Sequence, residues 1–378
     1  PSGAGRSGEE EAVRTALDLT QVPRRKTGMG VYGFNLALQL VCREEGVLFV
    51  SRDDPDKKRL REALGPGWSL QEVAPRWTRI LPLRFLWEQV LLPRICRRFR
   101  VDLLHSLHYT TPLFASTPRV VTVPDMSFYL CPEYHTPLKR LYFKGLLPWV
   151  LRRVSGVITL SEGGKAELLR RFSSLPHLSV QAIPLGAPEG CRRFPQGGKE
   201  TFLFLGTREP RKNIEGLLRA YALLVSRDPS SPSLTIVGGR GWGRDPVESL
   251  PREIQGRVHV LGYLAEEEKE ELLGRAVALV YPSFYEGFGL PVLEAMAQGI
   301  PVVTSRGTVM EEVGGGAVLA VDPHSPVEMA DAMERLLKEP ILWEELSRRG
   351  LERAREYTWE RTGRETRRFY AKCLRGGR

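Results

Sequence analysis

Three stretches of the chain hold residues whose types and spacing suit the chemistry of anions and hydroxyls. In "SFYEGFGLPVLEAMAQG", Ser283 to Gly299, Glu286 and Glu294 stand eight positions apart around a glycine- and proline-containing turn that opens an apolar helix. Gly287, Phe288, Gly289 and Leu290 then lie at a helix N-terminus, where backbone N–H groups have no helical acceptor and can meet a diphosphate. A carboxylate beside a phosphate is repulsive, so the two glutamates are expected to bind hydroxyls, a sugar at one end and a ribose at the other. In "FLGTREPRKNIEGLLRAY" Arg208, Arg211 and Lys212 crowd one strand-to-helix turn, where like charges repel unless a counter-anion arrives. "TGMGVYG" sets Gly28, Gly30 and Gly33 in G-x-G-x-x-G order, and Asp53 follows about 20 residues on, where a ribose-binding acid is expected. That fingerprint needs its first glycine directly after a strand, and "QVPRRK" intervenes. Phosphate contact, a nicotinamide or flavin dinucleotide site and a plain helix start all stay open on these residues alone.

Short apolar runs that alternate with amphipathic segments must position these groups, and they predict parallel strands joined by crossover helices. "AVRTALDLT", "GVLFVS", "VDLLHS", "PRVVTVPD", "GVITLS" and "VQAIPLG" read as strands of the first half. The polar segment "CRRFPQGGKE" reads as a linker, after which "TFLFLG", "SLTIVGG", "RVHVLGY", "AVALVYPS", "IPVVTS" and "GAVLAVD" repeat the pattern. Two doubly wound α/β domains fit 378 residues better than one long sheet. The expected division is a tail at 1–12, a first domain at 13–187, a second at 188–357 and a returning helix at 358–378. In that last segment Trp359, Thr362, Gly363, Thr366, Phe369, Tyr370 and Cys373 recur at helical spacing, giving one buried stripe to pack across the first domain.

Charge separates the halves. Residues 1–185 carry 27 Lys and Arg against 17 Asp and Glu, whereas residues 186–378 carry 28 of each. The net +10 therefore belongs to the first half, which should prefer an anionic partner. Two segments account for much of it, "RFLWEQVLLPRICRRFR" and "LKRLYFKGLLPWVLRRV", whose mixture of Arg and Lys with Trp, Leu, Phe and Tyr suits either a core-facing helix or an anionic membrane surface. No run of 18 apolar residues occurs and "PSGAGRSGEEEAV" lacks the apolar core of a signal peptide, so a cytoplasmic protein, peripheral at most, is expected. Cys42, Cys96, Cys131, Cys191 and Cys373 have no metal-binding spacing and read as free thiols in a reducing compartment.

Taken in order, "TGMGVYGFNL", "PDMSFYLCPEYHTPLKRLYF", "VITLSEGGKAELL", "FLGTREPRKNI", "LTIVGGRGWG", "VHVLGYLAEEEKEELL" and "EGFGLPVLEAMAQGIPVV" resemble the segments of the retaining nucleotide-sugar glycosyltransferases of family 4, from about residue 13 to 375. The resemblance implies the GT-B fold, two Rossmann-like domains facing across a cleft, with an acceptor-binding first domain and a donor-binding second. It implies that Glu286 contacts the transferring sugar, that Glu294 binds the donor ribose and that Gly287 to Leu290 offer N–H groups to the diphosphate. Arg211 and Lys212 would neutralise the leaving diphosphate without a metal, joined by Arg208. Gly262, Tyr263 and Leu264 would flank the base, and Gly28 and Gly30 would approach from the other domain.

The nearest resemblance is to mannosyltransferase-like members of bacterial polysaccharide synthesis. That implies GDP-mannose or another nucleotide sugar as donor and a glycan or lipid-linked acceptor, with no further cofactor, no metal and no nucleic-acid partner. The sequence departs from the family in "VTVPDMSF", where Pro124 replaces the usual histidine before Asp125. Proline has no side-chain donor or proton, so that role passes to a neighbour such as His108 or Asp125, or the protein binds donor without turnover. "SEGG" also carries glycines where relatives often have a hydroxyl or basic side chain.

Overall fold

The computed structural model describes residues 13–22, 28–42, 45–175, 178–188, 200–243 and 245–376. The expected tail 1–12 and nearly all of the expected linker lie outside them. The first sheet contains β1 (Arg14–Asp18), β2 (Glu45–Ser51), β3 (Trp68–Ala74), β4 (Leu103–Ser106), β5 (Arg119–Val123), β6 (Gly156–Thr159) and β7 (Val180–Ala182). Its spatial order is β3-β2-β1-β4-β5-β6-β7 and every pairing is parallel. The second sheet contains β8 (Thr201–Leu205), β9 (Ser233–Val237), β10 (Val258–Leu261), β11 (Ala276–Tyr281), β12 (Val302–Ser305) and β13 (Leu319–Val321), in the order β10-β9-β8-β11-β12-β13, again all parallel.

β5, β6, β8, β11 and β12 are mainly apolar runs buried on both faces, as a parallel sheet with helices on each side requires, and the central strands β1 and β4 are buried as well although they carry Thr15, Asp18, His105 and Ser106. β3 is the strand that apolar patterning missed. "WSLQEVA", at the sheet edge, buries Trp68, Leu70 and Ala74, and Ser69, Gln71 and Glu72 interrupt its apolar run. Strand order reverses between β1 and β4 in the first sheet and between β8 and β11 in the second, and the crevice beyond the carboxyl ends at such a point is where α/β folds bind ligands.

The last helix, Trp359–Arg375, buries Trp359, Thr362, Gly363, Thr366, Phe369, Tyr370 and Cys373, the same stripe that the helical spacing picks out. It lies on the first domain. Thr362 Oγ1 donates to the Pro184 carbonyl at 2.7 Å, and Arg367 Nη1 donates to the Gln39 carbonyl at 2.9 Å. Tyr370 places its hydroxyl 2.6 Å from His105 Nδ1, and His105 Nε2 lies 2.8 Å from Thr122 Oγ1, so both ring nitrogens are engaged inside the first sheet.

Burial pushes His105 down to about 3 and His108 down to about 4 from the ordinary 6.5. Between those values and 6.5 the unfolded chain binds more protons than the native one. Their contribution to stability is therefore full above about pH 6.5 and is lost as pH falls below it. Unfolding free energy should be level above about pH 7 and fall on acidification by up to ~1.4 kcal/mol per pH unit for each histidine, with the melting temperature following it down. His105→Gln should flatten that slope in a calorimetric pH series, and a wild-type profile that stays level down to pH 5 would contradict this account.

Candidate active site

Everything at the second crevice hangs on two turns, one after β8 and one after β11, and backbone bonds stitch them together. Phe284 N–H donates to the Arg211 carbonyl at 2.9 Å, and Arg211 Nη1 reaches back to the Tyr285 carbonyl. Asn213 adopts the left-handed conformation, with φ 56°, that ends the Pro210–Lys212 turn. Its side chain caps the helix Ile214–Arg227 and donates to the Pro282 carbonyl at 3.2 Å. Those contacts bring Lys212 and Arg211 to Glu286. Lys212 Nζ lies 2.5 Å, Arg211 Nη1 3.0 Å and the Tyr281 hydroxyl 3.2 Å from the same oxygen, Oε1. Oε2 carries none of these contacts. Burial opposes the charge on Glu286, but Arg211 and then Lys212 outweigh it and hold the carboxyl down at about 2. It is an acceptor for hydroxyls at neutral pH and has no proton to give.

The sequence expectation that the three basic residues await an outside anion needs correction, because the fold already supplies counter-charges. Arg211 is shared between Glu286 and Glu209, the latter at 2.6 Å. Arg208 is tied up more completely. Its Nε meets buried Asp245 at 2.9 Å and its Nη1 donates to the Gly238 carbonyl at 2.6 Å, so it braces the loop after β9 instead of joining Lys212. That loop supports the segment after β10. Gly238 N–H donates to the carbonyls of Leu261 and Gly262, each at 3.1 Å, and the Tyr263 ring lies so close over Gly239 that any Cβ there would strike it. Gly262, Tyr263 and Leu264 thus sit beside Arg208 through the backbone.

Glu294 lies in the helix Leu290–Ala297 with its side chain largely withdrawn from solvent, which raises its pKa, although Lys269 at 3.1 Å pulls the other way. Lys269, which also holds Glu266 at 2.6 Å, carries no signal in the sequence as a partner of Glu294. The helix Leu290–Ala297 starts at Gly289, whose φ of 98° suits glycine. Phe288 is buried, with its ring 5.9 Å from that of Tyr357. Facing this N-terminus is another, that of the helix Gly28–Val41, and a Cβ built on Gly28 would lie 3.9 Å from Leu290 Cδ1. Gly30 is buried in the first turn of that helix. Gly33 makes room for Leu107, Val22 and Leu19, and Asp53 accepts from Ser51 Oγ at 2.6 Å.

From the first domain, the loop after β5 closes directly on the Glu286 loop. Gly287 packs so tightly against the Pro124 carbonyl and Asp125 that a Cβ would lie 2.1 Å from the carbonyl oxygen. Ser161 Oγ donates to the Gly287 carbonyl at 3.1 Å. Tyr285 bridges the domains, since its hydroxyl accepts from Met126 N–H at 2.8 Å and donates to Glu167 at 2.7 Å. Glu312 takes the N–H groups of Glu162 and Gly163 at 2.9 and 2.8 Å, an acid from one domain on the N-terminus of the helix Glu162–Arg171 of the other. A Cβ at Gly163 would press on both Glu312 and Val309, which gives the "SEGG" glycines a physical role.

Asp125 Oδ1 accepts three bonds, from the Tyr109 hydroxyl at 2.6 Å, Ser127 N–H at 2.8 Å and Ser127 Oγ at 2.6 Å. Ser127 Oγ in turn lies 2.8 Å from His135 Nε2, so the histidine linked to Asp125 is His135, which sequence reasoning did not single out. His108, expected to stand in for the missing histidine and to meet acceptor, is packed edge-on against Tyr109 and Phe143 instead, with centroids 4.6 and 5.6 Å away. A local clue to His135 existed, a lone histidine within the same "PDMSFYLCPEYH" segment, but only the turn Pro132–Tyr134 brings it back onto Ser127.

Comparison with known proteins gives a consistent outcome. Residues 192–356 match the family model described as "Glycosyl transferases group 1", and residues 27–186 match "Glycosyl transferase 4-like domain". The chain is 33% identical over 265 residues to an O-antigen chain mannosyltransferase B of Escherichia coli, spanning 65% of this chain and 68% of that one. It is 25% identical to the O-antigen chain mannosyltransferase RfbU of Salmonella typhimurium, across 86% and 91% of the two chains. Among solved structures, Anabaena Alr3699/HepE in complex with UDP and glucose superposes with a TM-score of 0.74 at 16% identity, covering 95% of this chain and all of that one.

Glu286→Gln tests the ion cluster by leaving Arg211 and Lys212 without their common counter-charge, at a cost of about 3 kcal/mol or more. Thermal denaturation should show a lower melting temperature for the variant. An added nucleoside diphosphate should recover more of it in the variant than it adds to the wild type, because phosphate oxygens can replace the carboxylate. A variant as stable as the wild type would show that the cations are not held by Glu286.

Proposed function

The chain belongs to the glycosyltransferases of the group 1, family 4 type, with the GT-B fold, and from that premise we propose a retaining transfer of a hexose from a nucleoside diphosphate sugar to a glycan or lipid-linked hydroxyl. The observation that carries this reading is the Glu286 carboxylate. One oxygen is gripped by Lys212, Arg211 and Tyr281 while the other is left for a ligand, at the mouth of a helix N-terminus that faces Gly28 across the cleft. Glu286 Oε2 would accept from a hydroxyl of the transferring sugar, and the Gly287–Leu290 turn with Lys212 and Arg211 would hold the diphosphate. Glu294, next to Lys269, would take the ribose, with the base against Gly262, Tyr263 and Leu264. Mannose is the favoured sugar because both named relatives are mannosyltransferases, and GDP-mannose is the corresponding donor.

In the proposed reaction the acceptor oxygen forms its bond to the anomeric carbon on the face from which the diphosphate leaves, and its proton passes to the departing phosphate oxygen. Negative charge grows on that diphosphate, so preorganised N–H groups, Arg211 and Lys212 stabilise the transition state more than the ground state. No side chain needs to attack. Asp125, anchored through Oδ1 by Tyr109 and Ser127, would use Oδ2 to orient the acceptor hydroxyl, and the contact of the Pro124 loop with Gly287 would exclude competing water.

One alternative has its own observation. Pro124 offers no side-chain donor where relatives carry histidine, which suits a protein that binds donor without turnover. Release of free nucleoside diphosphate from a panel of donors and lipid-linked acceptors separates the two readings. Turnover with an unchanged anomeric configuration, read by NMR of the product, is expected. Tight donor binding with no release under any pairing would favour the binding protein, and an inverted product would refute retention. Lys212→Ala should weaken donor use by about 2 kcal/mol or more, the loss of a charge-assisted bond. In thermal-shift assays GDP or UDP should raise the melting temperature where NAD does not, and the reverse order would revive the dinucleotide reading of Gly28, Gly30, Gly33 and Asp53.

A further inference from the structure

The first domain carries an outer face that its own fold does not explain. Along Leu81–Leu86, Trp87–Leu91 and Leu92–Arg98 the helical path buries Arg84, Trp87, Glu88, Leu92 and Cys96. The opposite side, which a domain helix would normally give to polar residues, instead exposes Leu83, Phe85, Leu86, Val90 and Leu91. The helix Pro137–Leu151 repeats the pattern, with Leu141 75% and Trp149 56% exposed on one stripe while Phe143, Leu147, Val150 and Leu151 face the core. The two pieces are neighbours, since the rings of Phe85 and Tyr142 meet edge to face at 6.4 Å. At the far end Phe114, 78% exposed, lies under the Arg153 guanidinium at 5.0 Å.

Charge on this face has one sign. Residues 75–100 hold seven arginines and a single acid, Glu88, which is fully buried; residues 137–153 hold five cations and no acid. Arg94, Arg97, Arg98, Lys139, Arg140, Arg152 and Arg153 are all exposed, and among the described residues none of them forms an ion pair. The second domain behaves differently. There Arg335, Lys338, Arg348 and Arg349 each meet a glutamate four positions away. Those two helices of the second domain thus pair much of their surface charge, and the first-domain face does not.

From this combination we propose that the face formed by residues 77–98, the helix Pro137–Leu151 and Phe114 docks on the surface of an anionic lipid bilayer. Aliphatic side chains that project between unpaired cations match the interfacial layering of such a surface, acyl chains beneath phosphate headgroups. A nucleic acid would favour aromatic stacking platforms over Leu, Ile and Val. The face is also tied to the cleft. Arg84, on its inner side, donates to Thr20 Oγ1 at 2.5 Å and pairs with Asp18 at 3.2 Å at the end of β1, beside the Gly28 helix. The helix Pro137–Leu151 follows directly on the loop that carries Asp125, Ser127 and His135. Docking would hold the first crevice at the bilayer, where a lipid-linked hydroxyl enters; this last step alone rests on the transferase reading above.

Co-sedimentation of the full chain with vesicles of phosphatidylcholine, with and without phosphatidylglycerol, tests the proposal. Binding is expected to phosphatidylglycerol vesicles, weaker by about tenfold without the anionic lipid and weaker again in high salt. The double variant Leu86→Glu/Leu141→Glu should lose about tenfold or more in vesicle affinity, while its melting temperature and its shift with GDP or UDP stay as in the wild type. Should that variant unfold, Arg94→Ser/Arg98→Ser/Arg140→Ser provides the same readout through charge. Three outcomes would overturn the proposal: no vesicle binding by the wild type, equal binding by the variants, or a face that instead mediates a dimer, seen as variants turned monomeric with unaltered lipid binding. Vesicle binding without any nucleotide shift would uphold the docking face and count against the transferase reading, so the two can fail separately.

Discussion

The organising interaction of this protein is a partly buried ion cluster in which one carboxylate oxygen, Glu286 Oε1, answers two cations and a phenol. Each member would be costly alone in a buried site, and together they are satisfied only because two turns far apart in sequence are laced by backbone bonds. The lacing depends on Asn213 accepting a left-handed conformation and on β8 and β11 lying side by side at the point where strand order reverses. What holds Arg211 and Lys212 in place is therefore also what orients Glu286.

The domain interface extends that logic across the cleft. Absence of a side chain at Gly287 lets the Pro124 carbonyl reach the loop behind Glu286, and absence of one at Gly163 lets Glu312 sit on a helix N-terminus of the opposite domain. Tyr285, next in sequence to Glu286, uses its hydroxyl as donor to Glu167 and acceptor from Met126, both in the first domain. These contacts sit beside the candidate site, so residues of both domains build its walls. The returning helix Trp359–Arg375 strengthens the same union from outside, inserting Tyr370 against His105.

In the first domain, Pro124 offers Asp125 no side-chain partner, yet Asp125 does not lack a titratable neighbour. Three donors fix its Oδ1, and Ser127 links that oxygen to His135, whose ring stacks on Phe128 with centroids 4.0 Å apart. Burial lowers the pKa of His135, which favours the neutral ring beside a hydroxyl. The proline supplies backbone instead, as the carbonyl pressed against Gly287.

By itself the sequence determined the architecture and the inventory. Twelve of the thirteen strands among the described residues and the buried stripe of the last helix follow from local periodicity, because apolar burial repeats every two or 3.6 residues along the chain, and Glu286, Glu294, Arg211, Lys212 and the glycine turns stand out by residue type and spacing. β3 escaped because Ser69, Gln71 and Glu72 break the apolar run of "WSLQEVA", whereas the other edge strands keep an apolar run that shows in the sequence. Only the tertiary structure decided how the charges are spent. It gave Arg208 to Asp245, Glu294 to Lys269, Asp125 to Ser127 and His135, and the apolar side chains of two basic segments to the outside. Periodicity is a property of neighbours in sequence, whereas an ion pair is set by which turns two separate sheets bring within a few ångströms of each other.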